Sequence, residues 1–113
     1  MLAHWAVQRT RGETLPLPYV VNLLTQRNAQ HMGLTDRGAI KIGQVADINI
    51  INLAKLALPL PKVVRDLPAG GRRVLQKSSG YVATLVAGEA VVENGVITEA
   101  RPGRWLKGSN FKI

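Results

Sequence analysis

Hydrophobic residues recur at helical spacing in one part of the chain. Between residues 15 and 33, apolar side chains form a stripe at Leu17, Val20, Val21, Leu24 and Met32. Pro16 and Pro18 are tolerated only in the first turn of a helix, and Gly33 supplies the left-handed residue that ends one. The pattern predicts one amphipathic helix of about four turns.

The remaining pattern is typical of short strands. Ile40 and Ile42 alternate with polar residues, and GQVADINIINL, residues 43–53, leads from a glycine turn into β-branched residues. We therefore expect strands at about 39–42 and 47–52. Prolines and a glycine pair within 54–71 exclude a long regular element and indicate an irregular crossing.

Three or four further strands are predicted between residues 72 and 98. Asn94-Gly95 is a strong signal for a two-residue hairpin, because both central positions of a type I′ turn need positive φ. Pairing across this turn places Val92 opposite Ile97 and Glu93 opposite Val96. One face of the hairpin is then apolar and the other mixed.

Composition narrows the class of protein. The chain has 113 residues, 46% of them hydrophobic, which suggests one ordered domain and excludes a disordered tail. It contains no cysteine, which excludes disulfides and thiolate metal sites and favours a cytoplasmic setting. No apolar run approaches the roughly 20 residues of a membrane span, so we predict no membrane association.

The net charge is +8, which favours an anionic partner. The cations are spread along the chain as Arg9 and Arg11, then Arg72, Arg73 and Lys77, then Arg101, Arg104, Lys107 and Lys112. No aromatic residues interleave with them to stack bases, which argues against nucleic acid. They form either solvated faces or a surface whose acidic complement lies on a missing part of the molecule.

The residues that could perform catalysis do not form a recognisable set. His4 and His31 are the only imidazoles and have no metal-ligand spacing, so we expect His4 to be partly buried near a helix end and His31 to face the helix dipole. Ser78 and Ser79 have no partner base. We predict no catalytic, metal-binding or cofactor-binding residue; convergence of His4, Asp47 and Asp66 into a hydrolytic site remains an alternative.

Several polar and glycine residues are better explained as structural. Asp47 could act as a base, but we favour a cap that accepts backbone donors from the adjoining glycine turn. Asp36 and Asp66 lie in turn-rich sequence beside arginines. Gly70 and Gly71, in GGRR, could cradle an anion, although a turn entering a strand fits their context better.

Two segments resemble the C-terminal signature of the amidohydrolase superfamily. GLTDRGAIKIGQVADINIINL contains the G-x-I-x-x-G-x-x-A-D pattern that leads from the last barrel helix into a small β-domain, and VATLVAGEAVVENGVIT is similar to its second half. The residues that match are Gly38, Ile40, Gly43, Ala46 and Asp47, then Gly88, Asn94 and Gly95. HWAVQRTRGETLPLPYVV, PKVVRDLPAGGRRVLQKSSGYVATLVAGE and RPGRWLKG resemble the N-acyl-D-amino-acid deacylase (D-aminoacylase) group.

The resemblance implies a fold and a parent activity. The expected fold is α+β, mainly β, with one helix followed by a small antiparallel β-sandwich-like domain, without the (β/α)8 barrel. We expect a last barrel-type helical segment and loop at 1–34, the β-domain at 35–108 and a tail at 109–113. The parent family hydrolyses N-acyl-D-amino acids at a zinc centre, whose His, Asp and Cys ligands are expected upstream of Met1.

The chain is therefore predicted to be a non-catalytic C-terminal segment of such an enzyme. Its partner would be the missing N-terminal barrel portion, or another copy of itself through exposed strands and the helix. The alternative is a stand-alone basic interaction module that binds an anionic partner or nucleic acid. Pro18, TQRNAQ and the GSNFKI extension depart from the D-aminoacylase pattern and leave the substrate open.

Overall fold

The computed structural model describes residues 1–106 and shows an α+β, mainly β chain, as predicted. A π-helical segment, Ala3–Gln8, precedes helices α1 (Leu17–Leu24) and α2 (Gln26–His31). The strands are β1 (Ile48–Ile51), β2 (Lys62–Val64), β3 (Arg73–Leu75), β4 (Tyr81–Val86), β5 (Glu89–Glu93) and β6 (Val96–Ile97). The predicted tail at 109–113 lies outside the described residues, and the domain boundaries stay predictions.

The predicted single helix is bent at Thr25. This residue has φ −121° and ψ −90°, and its hydroxyl donates to the carbonyl of Val21 at 2.8 Å. A threonine that bonds back to residue i−4 offers the backbone an alternative to the regular ladder and commonly bends a helix. The predicted end at Gly33 is confirmed: its φ is +70°, and Leu34 N–H donates to the Ala29 carbonyl at 2.8 Å.

A four-stranded antiparallel sheet in the order β1-β4-β5-β6 forms the larger β unit. The predicted hairpin register is confirmed, with Val92 opposite Ile97 and Glu93 opposite Val96. Asn94 and Gly95 between them have φ of +48° and +81°, as a type I′ turn requires. The two turn residues therefore predicted the strand register of this hairpin correctly.

The proline-rich crossing contains more structure than the sequence indicated. Short 3₁₀ turns at Leu53–Lys55 and Pro68–Gly70 flank strand β2, which pairs with β3 in a separate two-stranded antiparallel ribbon. A long regular element is indeed excluded, but the three-residue strand β2 was not foreseen. Ala57 lies on the segment that leads from β1 to the ribbon, and Ser79 lies on the segment that returns from the ribbon to β4. An isolated antiparallel bridge joins these two residues next to the larger sheet.

The predicted strand at 39–42 is wrong. These residues form bends and a turn, closed by the Gln44 N–H donating to the Lys41 carbonyl at 3.1 Å. Ile40 is 87% exposed and Ile42 is fully exposed. Alternation of apolar and polar residues predicts a strand only where a neighbouring strand and a core receive the two faces, and neither is present beside this loop.

Buried side chains are confined to the helical part of residues 1–106. Val20 in α1 is 0% exposed and Ala29 in α2 is 7% exposed, and they are the only described residues in the buried class. Neither sheet contributes a buried residue. The same described portion holds no helix of the length and apolarity needed to traverse a bilayer.

Candidate functional site

The most connected polar cluster joins the loop before β1 to the β4–β5 turn. Asp47 Oδ1 accepts the Ala87 N–H at 2.9 Å, and the Ala46 carbonyl accepts the Gly88 N–H at 3.0 Å. Ala87 and Gly88 have φ of +50° and +87°, so they are the two central residues of a tight hairpin turn. Asp47 and Ala46 therefore hold a turn 40 residues away in sequence.

Arg37 completes this cluster from the other side. Its Nη1 donates to Asp47 Oδ2, while its Nε and Nη2 donate to the two Asp36 carboxylate oxygens at 2.9 and 3.1 Å. Only 13% of the Arg37 side-chain surface is accessible to solvent. We call the group of Asp36, Arg37, Ala46, Asp47, Ala87 and Gly88 the Asp47 clasp.

The charges within the Asp47 clasp stabilise one another. Hydrogen bonds from Arg37 lower the pKa of Asp36, and the same bonds raise the pKa of Arg37. Asp47 has one oxygen bound to a guanidinium and the other to a backbone amide. Such a carboxylate is engaged as an acceptor on both sides, which suits a structural role and not proton abstraction from a substrate.

The predicted capping role of Asp47 is thus correct in kind and wrong in partner. Asp47 accepts a backbone donor, but from the β4–β5 turn and not from the adjoining turn at Gly43. Gly43 has φ +86° and faces open space, so its contribution is conformational. Arg37 was missed; the signal available was a single cation beside Asp36 in the loop that precedes Asp47.

The GGRR segment forms a turn that enters a strand, as predicted. Gly70 has φ +69° at the end of the 3₁₀ turn, and a Cβ on Gly71 would lie 3.1 Å from the Leu67 Cβ. Arg73 then donates through Nε and Nη2 to the two Asp66 oxygens at 2.8 and 2.6 Å. The hydrogen bonds from Arg73 lower the pKa of Asp66.

The histidines and serines lie in separate places. His4 is exposed and meets Trp5 edge to face at 5.4 Å, so the expectation that it is partly buried is wrong. His31 occupies the last turn of α2, as expected. Ser79 Oγ donates to the Lys55 carbonyl at 3.2 Å. His4, Asp47 and Asp66 contact different partners, so these contacts give no support to a joint hydrolytic site.

Two open concavities lie on the described surface. One, of about 560 Å³, covers the end of the larger sheet and is lined by Lys55, Ser78, Tyr81, Thr84 and Asn94 among others. The other, of about 320 Å³, lies beside α2 and is lined by Gln26, Gln30, Arg37 and Lys41 among others. Neither lining includes a histidine or a carboxylate.

Comparison with known protein families identifies the family of the chain. A family model described as "Amidohydrolase family" matches residues 1–92, which include the helices, the clasp and most of the larger sheet. The chain belongs to the Amidohydrolase family. Comparisons with curated proteins and with solved structures found no match.

The donor groups of the described residues are not arranged to hold a zinc ion. In residues 1–106, no three His, Asp or Glu side chains are grouped so that they could hold a metal. The carboxylate in the A-D pattern, Asp47, is already bound to Arg37 and to the Ala87 amide. We therefore assign no step of zinc chemistry to the described residues.

Apolar side chains remain exposed on both parts of the amidohydrolase chain. On the sheet, Ile50 is 49%, Val82 42%, Val96 69% and Ile97 72% exposed. On α1, Leu17, Val21 and Leu24 are 37%, 41% and 39% exposed. These surfaces, together with the hydrogen-bonded connection made by the Asp47 clasp, are the features that a function must explain.

Proposed function

We propose that this chain is a non-catalytic C-terminal segment of a D-aminoacylase-like amidohydrolase. Its role is to supply a helix and a β-domain that pack against the catalytic barrel portion. The observation that carries the proposal is the Asp47 clasp, in which the carboxylate of the A-D pattern binds Arg37 and the Ala87 amide. The family's motif residue thus fixes architecture in this chain.

The exposed apolar surfaces support a docking role. α1 buries Val20 completely and leaves Leu17, Val21 and Leu24 partly exposed on an adjacent face. The larger sheet has no buried residue among its described strands. A β-domain whose faces are both accessible gains stability when another layer covers one of them.

The parent reaction we propose is zinc-dependent hydrolysis of the amide bond of an N-acyl-D-amino acid. This finer assignment rests on the segments 4–21, 61–89 and 101–108, which resemble the D-aminoacylase group. The zinc ligands and the general base would belong to the catalytic portion. The cysteine-free sequence supports a cytosolic setting.

The non-catalytic role is tested with the purified chain. It is incubated with zinc chloride and with N-acetyl-D-amino acids, then assayed for bound zinc by elemental analysis and for released amino acid by chromatography. We expect neither stoichiometric zinc nor turnover, with an active D-aminoacylase as the positive control. Turnover that is removed by a chelator would contradict the proposal.

The docking role is tested with the DNA that lies upstream of the codon for Met1. We expect it to encode a polypeptide with an H-x-H pair after a strand. Co-expressed with this chain, that polypeptide should form a complex that hydrolyses N-acyl-D-amino acids and discriminates against the L-isomers. Docking would be contradicted if the upstream sequence lacked such a pair. It would also be contradicted if the catalytic polypeptide did not bind this chain.

The excess of positive charge favours one alternative, a stand-alone basic module. Its net charge of +8 would support binding to nucleic acid through counterion release. Fluorescence anisotropy with labelled single- and double-stranded DNA distinguishes the two proposals. Tight binding at low salt that falls steeply as salt rises would favour the alternative; no binding at low salt would remove it.

A further inference from the structure

The chain exposes more surface than a folded monomer of its size. Its accessible area is 9260 Å² at a mass of 12.3 kDa, whereas a compact monomer of that mass exposes about 6,100 Å². A standard interface buries about 800 Å² per partner, so the excess is sufficient for a stable complex.

One face of α1 is a suitable contact surface. Leu17, Val21 and Leu24 are spaced at i, i+4 and i+7, so they project from one side of the helix. Each is between 37% and 41% exposed, next to the completely buried Val20. We call these three residues the helical apolar face. A row of aliphatic anchors with this spacing fits an apolar helical surface on another protein.

The charges around the helical part have one dominant sign. Residues 1–34 contain Arg9, Arg11 and Arg27, and Glu13 is the only carboxylate among them. α1 itself carries no charged residue. Arg9 lies 4.7 Å from the ring centre of Trp5, so one of these cations is held against an exposed apolar side chain.

Internal pairing does not cancel this excess. The described ion pairs join Arg37 to Asp36 and Asp47, and Arg73 to Asp66, so three of the chain's seven carboxylates already have an arginine partner. None of these pairs involves a cation of residues 1–34. The cations of the helical part are therefore available to carboxylates of another molecule.

We propose that the helical apolar face packs against an apolar helical surface flanked by carboxylates on a protein partner. This inference rests on the proposed function, because it describes the surface of the catalytic portion that receives this segment. Another copy of the chain is a poor occupant, since it brings the same +8 charge. Nucleic acid has no aliphatic surface for three such side chains.

The sign of the partner's charge is tested with two amphipathic helical peptides of about 20 residues. Both carry the same leucine stripe; one has glutamate and the other lysine at the flanking positions. We expect the glutamate peptide to bind about tenfold more tightly at low salt, as three weak charge pairs would give. The preference should collapse at about 0.5 M salt, where charges are screened within a few ångströms.

Matched variants locate the contact. The combination Arg9→Gln, Arg11→Gln and Arg27→Gln should abolish the preference for glutamate. The control combination Lys62→Gln, Arg65→Gln and Arg72→Gln removes the same charge near the two-stranded ribbon and should leave the preference intact. Circular dichroism verifies that each variant keeps its secondary structure.

The apolar part of the contact needs its own variant. Leu17→Gln with Leu24→Gln should weaken the binding of both peptides at least tenfold, because two of the three anchors become polar. If that variant unfolds, the arginine variants still test whether the partner surface is negatively charged. Undiminished binding by a folded Leu17→Gln, Leu24→Gln chain would overturn the proposal.

Other results would overturn it directly. These are equal binding of the two peptides, a stable homodimer at micromolar concentration in sedimentation, or binding to anionic lipid vesicles without binding to the glutamate peptide. If the glutamate preference is found but the upstream catalytic polypeptide forms no complex, the charge and apolar character of the partner surface stand, and the proposed function, which assigns that surface to the catalytic portion, fails.

Discussion

Replacing Asp47 by alanine should selectively loosen the β4–β5 turn. The change removes the acceptor of the Ala87 N–H, at 2.9 Å, and the second carboxylate that Arg37 binds. A hydrogen bond to a charged group contributes about 1.5–3 kcal/mol, and an exposed ion pair about 0.2–1 kcal/mol. Because the Asp47 side chain is 30% exposed, we take a total near the lower end, about 2 kcal/mol.

Amide hydrogen exchange by NMR measures this effect at the turn itself. A loss of about 2 kcal/mol corresponds to about a 30-fold faster exchange of the Ala87 amide where local opening limits exchange. Asp47→Asn keeps one oxygen for Ala87 but loses the charge, so we expect about 1 kcal/mol, or about a fivefold change. The Thr98 amide, bound to the Val91 carbonyl at 3.0 Å across the β5–β6 hairpin, is the internal reference.

Two outcomes of this experiment would refute the argument. Unchanged exchange at Ala87 in Asp47→Ala would show that the carboxylate does not hold the turn. Equal acceleration at Ala87 and Thr98 in the milder Asp47→Asn would show a general loss of stability in place of a local one. Asp66→Asn, which breaks a salt bridge in the two-stranded ribbon, should leave Ala87 unaffected and serves as the matched control.

Two other substitutions and one titration test the remaining structure. Gly80→Ala should destabilise the chain by at least about 2 kcal/mol in urea denaturation, because its Cβ would lie 2.6 Å from the Leu56 Cα at φ +92°. Gly95→Ala meets no atom within 4 Å and should cost only about 1 kcal/mol for its positive φ, so equal losses would refute the steric argument. The pKa of Asp66 is lowered by Arg73, so the unfolded chain binds more protons in acid; the pair's stabilisation is present above the ordinary Asp pKa and is lost as pH falls through the lowered value. In an NMR titration, Arg73→Gln should move the Asp66 midpoint upward, and an unmoved midpoint would contradict the assigned cause.

Local signals predicted the turns and the ends of elements well. Asn94-Gly95 requires positive φ at two consecutive positions, and that requirement fixes the register of the β5–β6 hairpin within a few residues of the signal. Gly33 likewise ends the helix through its own backbone conformation. In both cases the cause and the structure lie in the same short segment.

Sequence patterns predicted the structure less reliably where the outcome depends on contacts with another element. Ile40 and Ile42 have the alternation of a strand, yet no strand lies beside them and both face solvent. The bend at Thr25 depends on a side-chain bond that competes with the helical ladder. Strand β2 was missed because its pairing with β3 joins residues on either side of a turn that contains Pro68, Gly70 and Gly71.

The sequence by itself determined the fold class, the β5–β6 register, the end of the helix and the family resemblance, because turn residues and short motifs act through local backbone conformation. Only the tertiary structure decided what Asp47 does. Its partners are Arg37, ten residues before it, and the Ala87 amide, 40 residues after it. A carboxylate can accept from any donor that folding brings within reach, so its role depends on long-range packing that no local pattern specifies.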